Sequence, residues 1–317
     1  MRRKILRTLL GIFLILLIIP YFIPLSSDQK IPLLPYQDSA FFSTSDNVRI
    51  HYRLNTPLII KGKILLVHGL AASTFSFRNN IASLIATGYQ VLAIDLPAFG
   101  YSDRQTGLIH SQVNRAKWLW ELIDKIDKDA NDSRPWTLLG HSMGASTILA
   151  MSNQSPSRVS SLVMIDGAVT QSSMNIPFIF DSPIGQWMKV YLRYNALKYD
   201  NFAKLLSSAY AKTADDKAID GYLAPLLIDK TPSALVDFVK TAKNVNITDW
   251  KNPDKPLLVT WGEKDTWVKP VSIDEIRKVA LDLQVTIFPN QGHCPHETDP
   301  GFNKVLIDFL TSHNESY

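Results

Sequence analysis

Three side chains in this sequence have the types and order needed to break an acyl bond: Ser142, Asp265 and His293. Ser142 lies in Gly140-His-Ser-Met-Gly144, after the apolar run Thr137 to Leu139 and before a stretch of small and apolar residues from Ala145 to Met151. That context predicts a strand, a sharp turn and a helix, with the serine exposed on the turn. A serine hydroxyl is a weak nucleophile until a base takes its proton. His293 supplies that base, in Pro289-Asn-Gln-Gly-His-Cys-Pro-His-Glu297, just after an apolar run that ends at Phe288. Asp265, in Trp261-Gly-Glu-Lys-Asp265, supplies the carboxylate that fixes the imidazole tautomer. The order serine, acid, histidine is the one expected of this elbow motif.

The tetrahedral oxyanion of acyl transfer needs two N–H donors, each worth roughly 3 kcal/mol. The backbone N–H of Met143 is one candidate, because the first N–H groups of a helix have no partner inside it. The second is the N–H of Leu70, in the turn that Gly69 permits after the strand Lys63 to Val67. Other polar residues compete for roles. His296 is three residues from His293, but it precedes Glu297 at the start of the last helix. Asp166 also follows a strand and could orient the base in place of Asp265. Glu263 fits loop solvation better. His141 reads as a packing residue beside the nucleophile, and His68 as a support for the oxyanion loop. A metal at His293, Cys294 and His296 lacks further ligands nearby. No glycine spacing matches a dinucleotide fingerprint, so no cofactor is expected.

These residues need a scaffold that gathers them. Asn47 to Leu54 alternates as a half-buried outer strand does, whereas Lys63 to Val67, Gln90 to Ile94, Ser161 to Ile165 and Pro256 to Trp261 are short apolar runs typical of buried parallel strands. Helical spacing separates them at Phe77 to Thr87, with Gly88 as C-cap, and at His110 to Ile126. It recurs at Val271 to Leu283, before the strand Val285 to Phe288, and at Asp299 to Leu310. Alternating strands and helices predict a mostly parallel sheet covered on both faces. Sites in such sheets lie at the carboxyl ends of the strands. His68, Asp95, Ser142, Asp166, Glu263 to Asp265 and His293 all follow strands and should converge there. From Ala168 to Asp249 only helical patterns occur, rich in Phe178, Phe180, Trp187, Tyr191, Tyr194, Phe202, Tyr210 and Tyr222. Most of these form the insertion's own core, and some line an apolar pocket.

The amino end is of another kind. Arg2, Arg3, Lys4 and Arg7 precede an uncharged run of 17 residues, Leu9 to Leu25. No small-residue cleavage site follows it, which favours an uncleaved signal anchor over a signal peptide. The positive cluster places the rest of the chain on the non-cytoplasmic side, secreted or periplasmic if the segment is cut. Four of the 33 Lys and Arg residues lie in this cluster, and the remaining 29 equal the 29 Asp and Glu residues. No basic excess is left to attract nucleic acid. The single cysteine, Cys294, excludes an internal disulfide. The division expected is residues 1–25 as anchor or signal peptide, 26–45 as tether, 46–167 and 250–317 as core, and 168–249 as helical cap.

Five stretches together carry a resemblance: Val67-His-Gly-Leu70, Asp95-Leu-Pro-Ala-Phe-Gly-Tyr-Ser-Asp103, Gly140-His-Ser-Met-Gly144, Gly262-Glu-Lys-Asp265 and Gly292-His293. From about Val48 to Leu310 the chain resembles the α/β-hydrolase superfamily, in its branch of serine esterases, lipases and C–C hydrolases with a helical cap. The resemblance implies an α/β fold, Ser142 as nucleophile, His293 as base, Asp265 as acid and 168–249 as cap. Ala98 departs from the pattern, since many relatives have glycine or a small polar residue there. The epoxide hydrolases and haloalkane dehalogenases of the superfamily use aspartate where this chain has Ser142. A membrane-anchored hydrolase of apolar or lipid-like carboxylic esters is therefore expected, with a small-molecule ester as its partner. A C–C bond hydrolase, a lactonase and a cofactor-free haloperoxidase share the same triad. A non-catalytic ligand-binding relative would keep the same fold.

Overall fold

A computed structural model describes residues 1–170, 177–243 and 245–313, without the side chains of residues 177, 178, 271 and 272. Phe178 and the end of the expected core, residues 314–317, therefore lie outside what is described. So do residues 171–176 and 244 of the expected cap.

Eight strands form one sheet: β1 (Ser39–Ser43), β2 (Arg49–Asn55), β3 (Gly62–Val67), β4 (Tyr89–Ile94), β5 (Trp136–His141), β6 (Val159–Ile165), β7 (Leu257–Gly262) and β8 (Leu283–Phe288). Their spatial order is β1-β2-β4-β3-β5-β6-β7-β8. β1 and β2 are antiparallel to their neighbours, and β4, β3, β5, β6, β7 and β8 run parallel. Successive side chains on a strand point to opposite faces. Along β3, Leu65 and Val67 enter one core with α3 (Gln112–Ala130) and α4 (Met143–Gln154). Ile64 and Leu66 enter a second core with α2 (Ile81–Ala86) and α11 (Phe302–Ser312). Both faces are covered, so these strands read as unbroken apolar runs. Each such side chain contributes about 1.5–3 kcal/mol by leaving water.

The helix ends follow local chemistry. Ser111 caps α3 by accepting from the Asn114 N–H, and Asn131 ends it with a left-handed backbone. Gly88, at φ +94°, turns the chain from α2 into β4. Val271–Val279 forms α9, which stops short of the predicted Leu283 because Leu283 already belongs to β8. The short α10 (Pro295–Thr298) precedes α11.

Between β6 and β7 the described residues hold α5 (Pro183–Tyr191), α6 (Tyr199–Tyr210), α7 (Asp216–Leu226) and α8 (Thr231–Thr241). Phe202, Leu206, Tyr210, Ile219, Tyr222 and Leu223 form a core of their own, joined by Ala72 and Cys294 from the sheet side.

The amino end begins with the expected apolar helix and departs from its reading in the stretch that follows. The helix α1 (Arg2–Ile18) begins inside the basic cluster and gives way at Ile19 to a tighter turn that contains Pro20. None of its residues is buried, and the most apolar 18-residue window of Arg2–Tyr21 has a mean hydropathy of 2.0. The stretch read as a tether through Ser45 is not free. Asp229 accepts from the Ser27 N–H and from Lys30, and its own N–H donates to Gln29. Ser39–Ser43 then pairs with β2 as the edge strand.

Candidate active site

The turn at Ser142 is set by close packing. A side chain at Gly140 would lie 2.5 Å from the Ala145 nitrogen, and one at Gly144 would lie 2.3 Å from the Val67 carbonyl. Glycine at both ends lets α4 descend onto β3, and the turn between them holds Ser142 at φ 50°, ψ −117°. That is a strained conformation for a residue with a side chain. Hydrogen bonds hold it there: the Ser142 N–H donates to Ile165, and the Ser142 carbonyl accepts from Ala145 and Ala168. The Met143 N–H opens α4, where no intrahelical partner reaches it.

His293 and Asp265 meet as the sequence order suggests. The His293 Nδ1–H donates to Asp265 Oδ2 at 2.7 Å, which leaves Nε2 with its lone pair free. Asp265 Oδ1 accepts from the N–H groups of Trp267 and Val268 at 2.7 and 3.2 Å. Burial alone would raise this carboxyl, but the donors, His293 first, outweigh it and hold it below its usual range. The Trp267 ring stacks on the His293 imidazole at 5.7 Å. The His293 N–H donates to the Ala209 carbonyl of α6 at 2.6 Å, so the insertion also holds the loop.

The competing residues separate by environment. Asp166 is fully buried at the end of β6, with one oxygen on the Gly262 N–H and the other unpartnered. Burial pushes its carboxyl well up; the Gly262 N–H opposes this, and Asp265 beside it pushes further up. Ligand atoms of Asp166, Asp265 and His293 lie within 4.8 Å of one another, a donor set that could hold a cation. A cation there would have to break the His293–Asp265 hydrogen bond. His296 is buried against His141 and Phe302, and burial keeps it neutral. Glu263 is exposed and accepts from the Asn290 N–H. His141, whose pKa burial lowers to about 3, donates through Nε2 to the His293 carbonyl at 2.8 Å. His68 donates through Nδ1 to Gly69 and accepts from the Leu96 N–H, which fixes the loop that carries Leu70. A side chain at Gly69 would lie 3.1 Å from the Ser142 Cβ, so this loop passes directly beside the nucleophile position.

Sequence reasoning did not reveal two buried networks. Asp95 accepts from Thr74, Tyr101 and His51 at 2.6, 2.7 and 2.7 Å, tying the loop after β3 to the loop after β4. Glu297 binds Arg78 of the core and the hydroxyls of Tyr210 and Tyr222 of the insertion. Carboxylates are common in loops, and nothing in the local pattern distinguishes these two as buried.

Ser142 and His293 line one cavity of about 300 Å³ with Leu70, Phe202, Leu206, Tyr222 and Trp267 among its walls. Among the described residues, no Lys or Arg lines it. A second cavity, of about 540 Å³, shares Leu70 and Ala71 with the first.

A family model described as the alpha/beta hydrolase fold matches residues 63–300. The chain is 27% identical over 275 residues to YugF, an uncharacterised hydrolase of Bacillus subtilis, across 84% of this chain and 96% of that protein. It is 26% identical to a 2-hydroxy-6-oxononadienedioate/2-hydroxy-6-oxononatrienedioate hydrolase of Cupriavidus pinatubonensis, across 78% and 86%. Among solved structures, a bacterial membrane phospholipase A superposes with a TM-score of 0.71 at 20% identity, covering 100% of both chains. The family match spans most of the chain, which folds as a mostly parallel eight-stranded sheet: the protein belongs to the alpha/beta hydrolase family and is a hydrolase.

Proposed function

We propose that this hydrolase cleaves carboxylic esters with an apolar acyl group through an acyl-enzyme. Ser142 attacks the carbonyl as His293 takes its proton through Nε2, and the imidazolium then protonates the leaving alcohol. Asp265 holds the tautomer and stabilises the imidazolium. The N–H groups of Leu70 and Met143 receive the oxyanion. Water activated by His293 then attacks the acyl-enzyme, releasing the acid and restoring Ser142. The helices of 168–249 act as a cap over this chemistry.

The observation that carries this reading is the one cavity that holds Ser142 and the Asp265-bound His293 between apolar walls. A second reading, cleavage of a C–C bond, draws on the Cupriavidus relative. The dienedioate in that protein's name is a dianion, and burying two carboxylates without a cationic partner is unfavourable. The cavity here offers no Lys or Arg, which favours a neutral ester.

In this reading α1 anchors the enzyme in a membrane with Arg2, Arg3, Lys4 and Arg7 on the cytoplasmic side and the catalytic domain opposite. Protease treatment of spheroplasts before and after lysis tests the orientation: cleavage of the domain only after lysis would reverse it.

Hydrolysis of p-nitrophenyl esters of rising acyl length, with Ser142→Ala alongside, tests the chemistry. Turnover by the native protein is expected to fall at least about 10⁴-fold in the variant. Turnover that survives the substitution would remove Ser142 from the mechanism. No turnover of any ester by the native protein would transfer the reading to C–C or lactone cleavage.

A further inference from the structure

We infer that the cleft between α5 and α8 binds the far end of a long hydrocarbon chain, so that the substrate is a long-chain lipid ester drawn from the bilayer. This deepens the ester reading and rests on it for the chemistry at Ser142.

Three observations converge. The cleft is the larger of the two cavities, about 540 Å³ against about 300 Å³, and it is walled by Trp187, Met188, Leu192, Leu235, Val236 and Val239. Among the described residues no charged side chain lines it, so it favours a hydrocarbon chain over a polar substrate. It also adjoins the catalytic cavity at Leu70 and Ala71, which border both. The loop that presents the Leu70 N–H is therefore the partition between them. A chain whose ester carbonyl lies at Ser142 can pass Leu70, which is half exposed, and continue into the cleft.

The third observation gives the direction of entry. The outer wall of the cleft is α5, and α5 is fastened to the amino-terminal segment. The Trp187 indole N–H donates to the Leu16 carbonyl of α1 at 2.8 Å. α5 also packs against the turn Ile19–Tyr21, and the Tyr194 hydroxyl, just beyond it, donates to Pro24 at 2.5 Å. If α1 lies in a bilayer, these bonds keep the cleft at its surface. Ile184, Tyr191 and Val239 expose apolar surface at the cleft's rim, where a lipid tail would enter. A tail arriving there leaves hydrocarbon for hydrocarbon, so its entry carries little desolvation cost.

The test uses the full-length protein in detergent micelles, with p-nitrophenyl butyrate and p-nitrophenyl palmitate as probes. Val239→Trp places a large ring in the cleft from a position that is already partly exposed, and a circular-dichroism melt verifies its fold. The expected result is a fall of tenfold or more in the ratio of kcat/KM for palmitate to that for butyrate. An equal fall for both esters, or no change in the ratio, overturns the inference. A binding arm separates this from failure of the ester reading. Fluorescence titration of Ser142→Ala with cis-parinaric acid is expected to show binding that Val239→Trp weakens at least fivefold. Should the native protein hydrolyse neither ester, that weakening still supports the cleft, and equal binding in both proteins overturns it. A change of oligomeric state in Val239→Trp, with parinaric acid binding unaltered, would assign the cleft to a second copy of the chain and also overturn the inference.

Discussion

At the carboxyl edge of the sheet, each catalytic candidate is fixed by hydrogen bonds from two or three directions, whereas the helical insertion meets the same cavity almost entirely through hydrocarbon. Asp265 accepts from His293, Trp267 and Val268, and His68 is pinned at both ring nitrogens. Phe202, Leu205, Leu206 and Tyr222 face them from the insertion. Directional bonds hold reacting atoms to fractions of an ångström, as proton transfer demands. Apolar contact is tolerant of shape and sorts ligands by size and hydrophobicity. In the proposed mechanism the sheet edge therefore sets which reaction occurs, and the insertion which molecule undergoes it.

Substitutions at the edge should therefore act on kcat and leave ground-state binding largely alone. Asp265→Ala is expected to lower kcat for a short ester by about 10⁴-fold with little change in KM, because it frees the His293 tautomer without touching the apolar walls. Steady-state kinetics on p-nitrophenyl butyrate checks this. A KM effect larger than the kcat effect would break the proposed division of labour.

Glu297 joins the two regions through a buried cluster of polar bonds, and it should behave as a structural group. Its carboxyl is fully buried among Arg78, Tyr210 and Tyr222, and burial pushes its pKa up while these partners offset part of the rise. Glu297→Leu leaves a guanidinium and two hydroxyls without their acceptor, at an expected cost of about 3–5 kcal/mol in urea unfolding. Tyr222→Phe removes one donor to Glu297 and the partner of the Ser76 hydroxyl, and should cost less, about 1–2 kcal/mol. Equal costs for the two would mean that Arg78 gains nothing from the carboxylate.

Legibility followed the same boundary between the regions. The parallel strands were readable because burial on both faces writes a continuous apolar run, as in Ile64 to Val67. The serine elbow was readable because only glycine fits at positions 140 and 144. The meeting of His293 and Asp265 followed from chain order and from the rule that loops gather at the carboxyl edge. Other features left no local trace. Asp95 and Glu297 owe their importance to partners far away in sequence, such as His51 and Arg78, and a buried carboxylate looks like a solvated one until those partners are placed. The strand Ser39–Ser43 was read as tether because an edge strand is only half covered and its serines resemble a loop. The path from α1 to the cleft was invisible for the same reason: it depends on where α5 comes to rest.

The two aspartates beside His293 offer a finer test of the edge region. The donors to Asp265 pull its pKa down, whereas burial and the neighbouring Asp265 push that of Asp166 up, toward the neutral form. A carboxyl whose folded pKa lies above its unfolded value costs stability once pH exceeds the unfolded value, near 4. Below that pH both states are protonated and the cost disappears. Asp166→Asn, which removes the titration and keeps the shape, is therefore expected to raise the Tm at pH 7 and leave it nearly unchanged at pH 3.5. A gain that is the same at both pH values would show that Asp166 is not held neutral.

The smallest effect is expected at Ala98, where the sequence departs from the glycine or small polar residue common in its pattern. Its backbone lies in the left-handed region, at φ 77°, while its methyl group is buried in the main core. Left-handed geometry costs a residue with a Cβ about 1–2 kcal/mol relative to glycine. Against this, Ala98→Gly would lose a buried methyl worth about 0.8 kcal/mol. It would also add unfolded-chain entropy worth about 0.4–1 kcal/mol. These contributions nearly cancel, so the variant is expected within about 0.5 kcal/mol of the native protein in urea unfolding, with unchanged kcat. That balance explains how alanine is accommodated in a turn whose conformation favours glycine. A gain above about 1 kcal/mol would mean that the turn is strained beyond what the buried methyl offsets. The loop after β4, which Asp95 clamps beside the site, would then carry strain of its own.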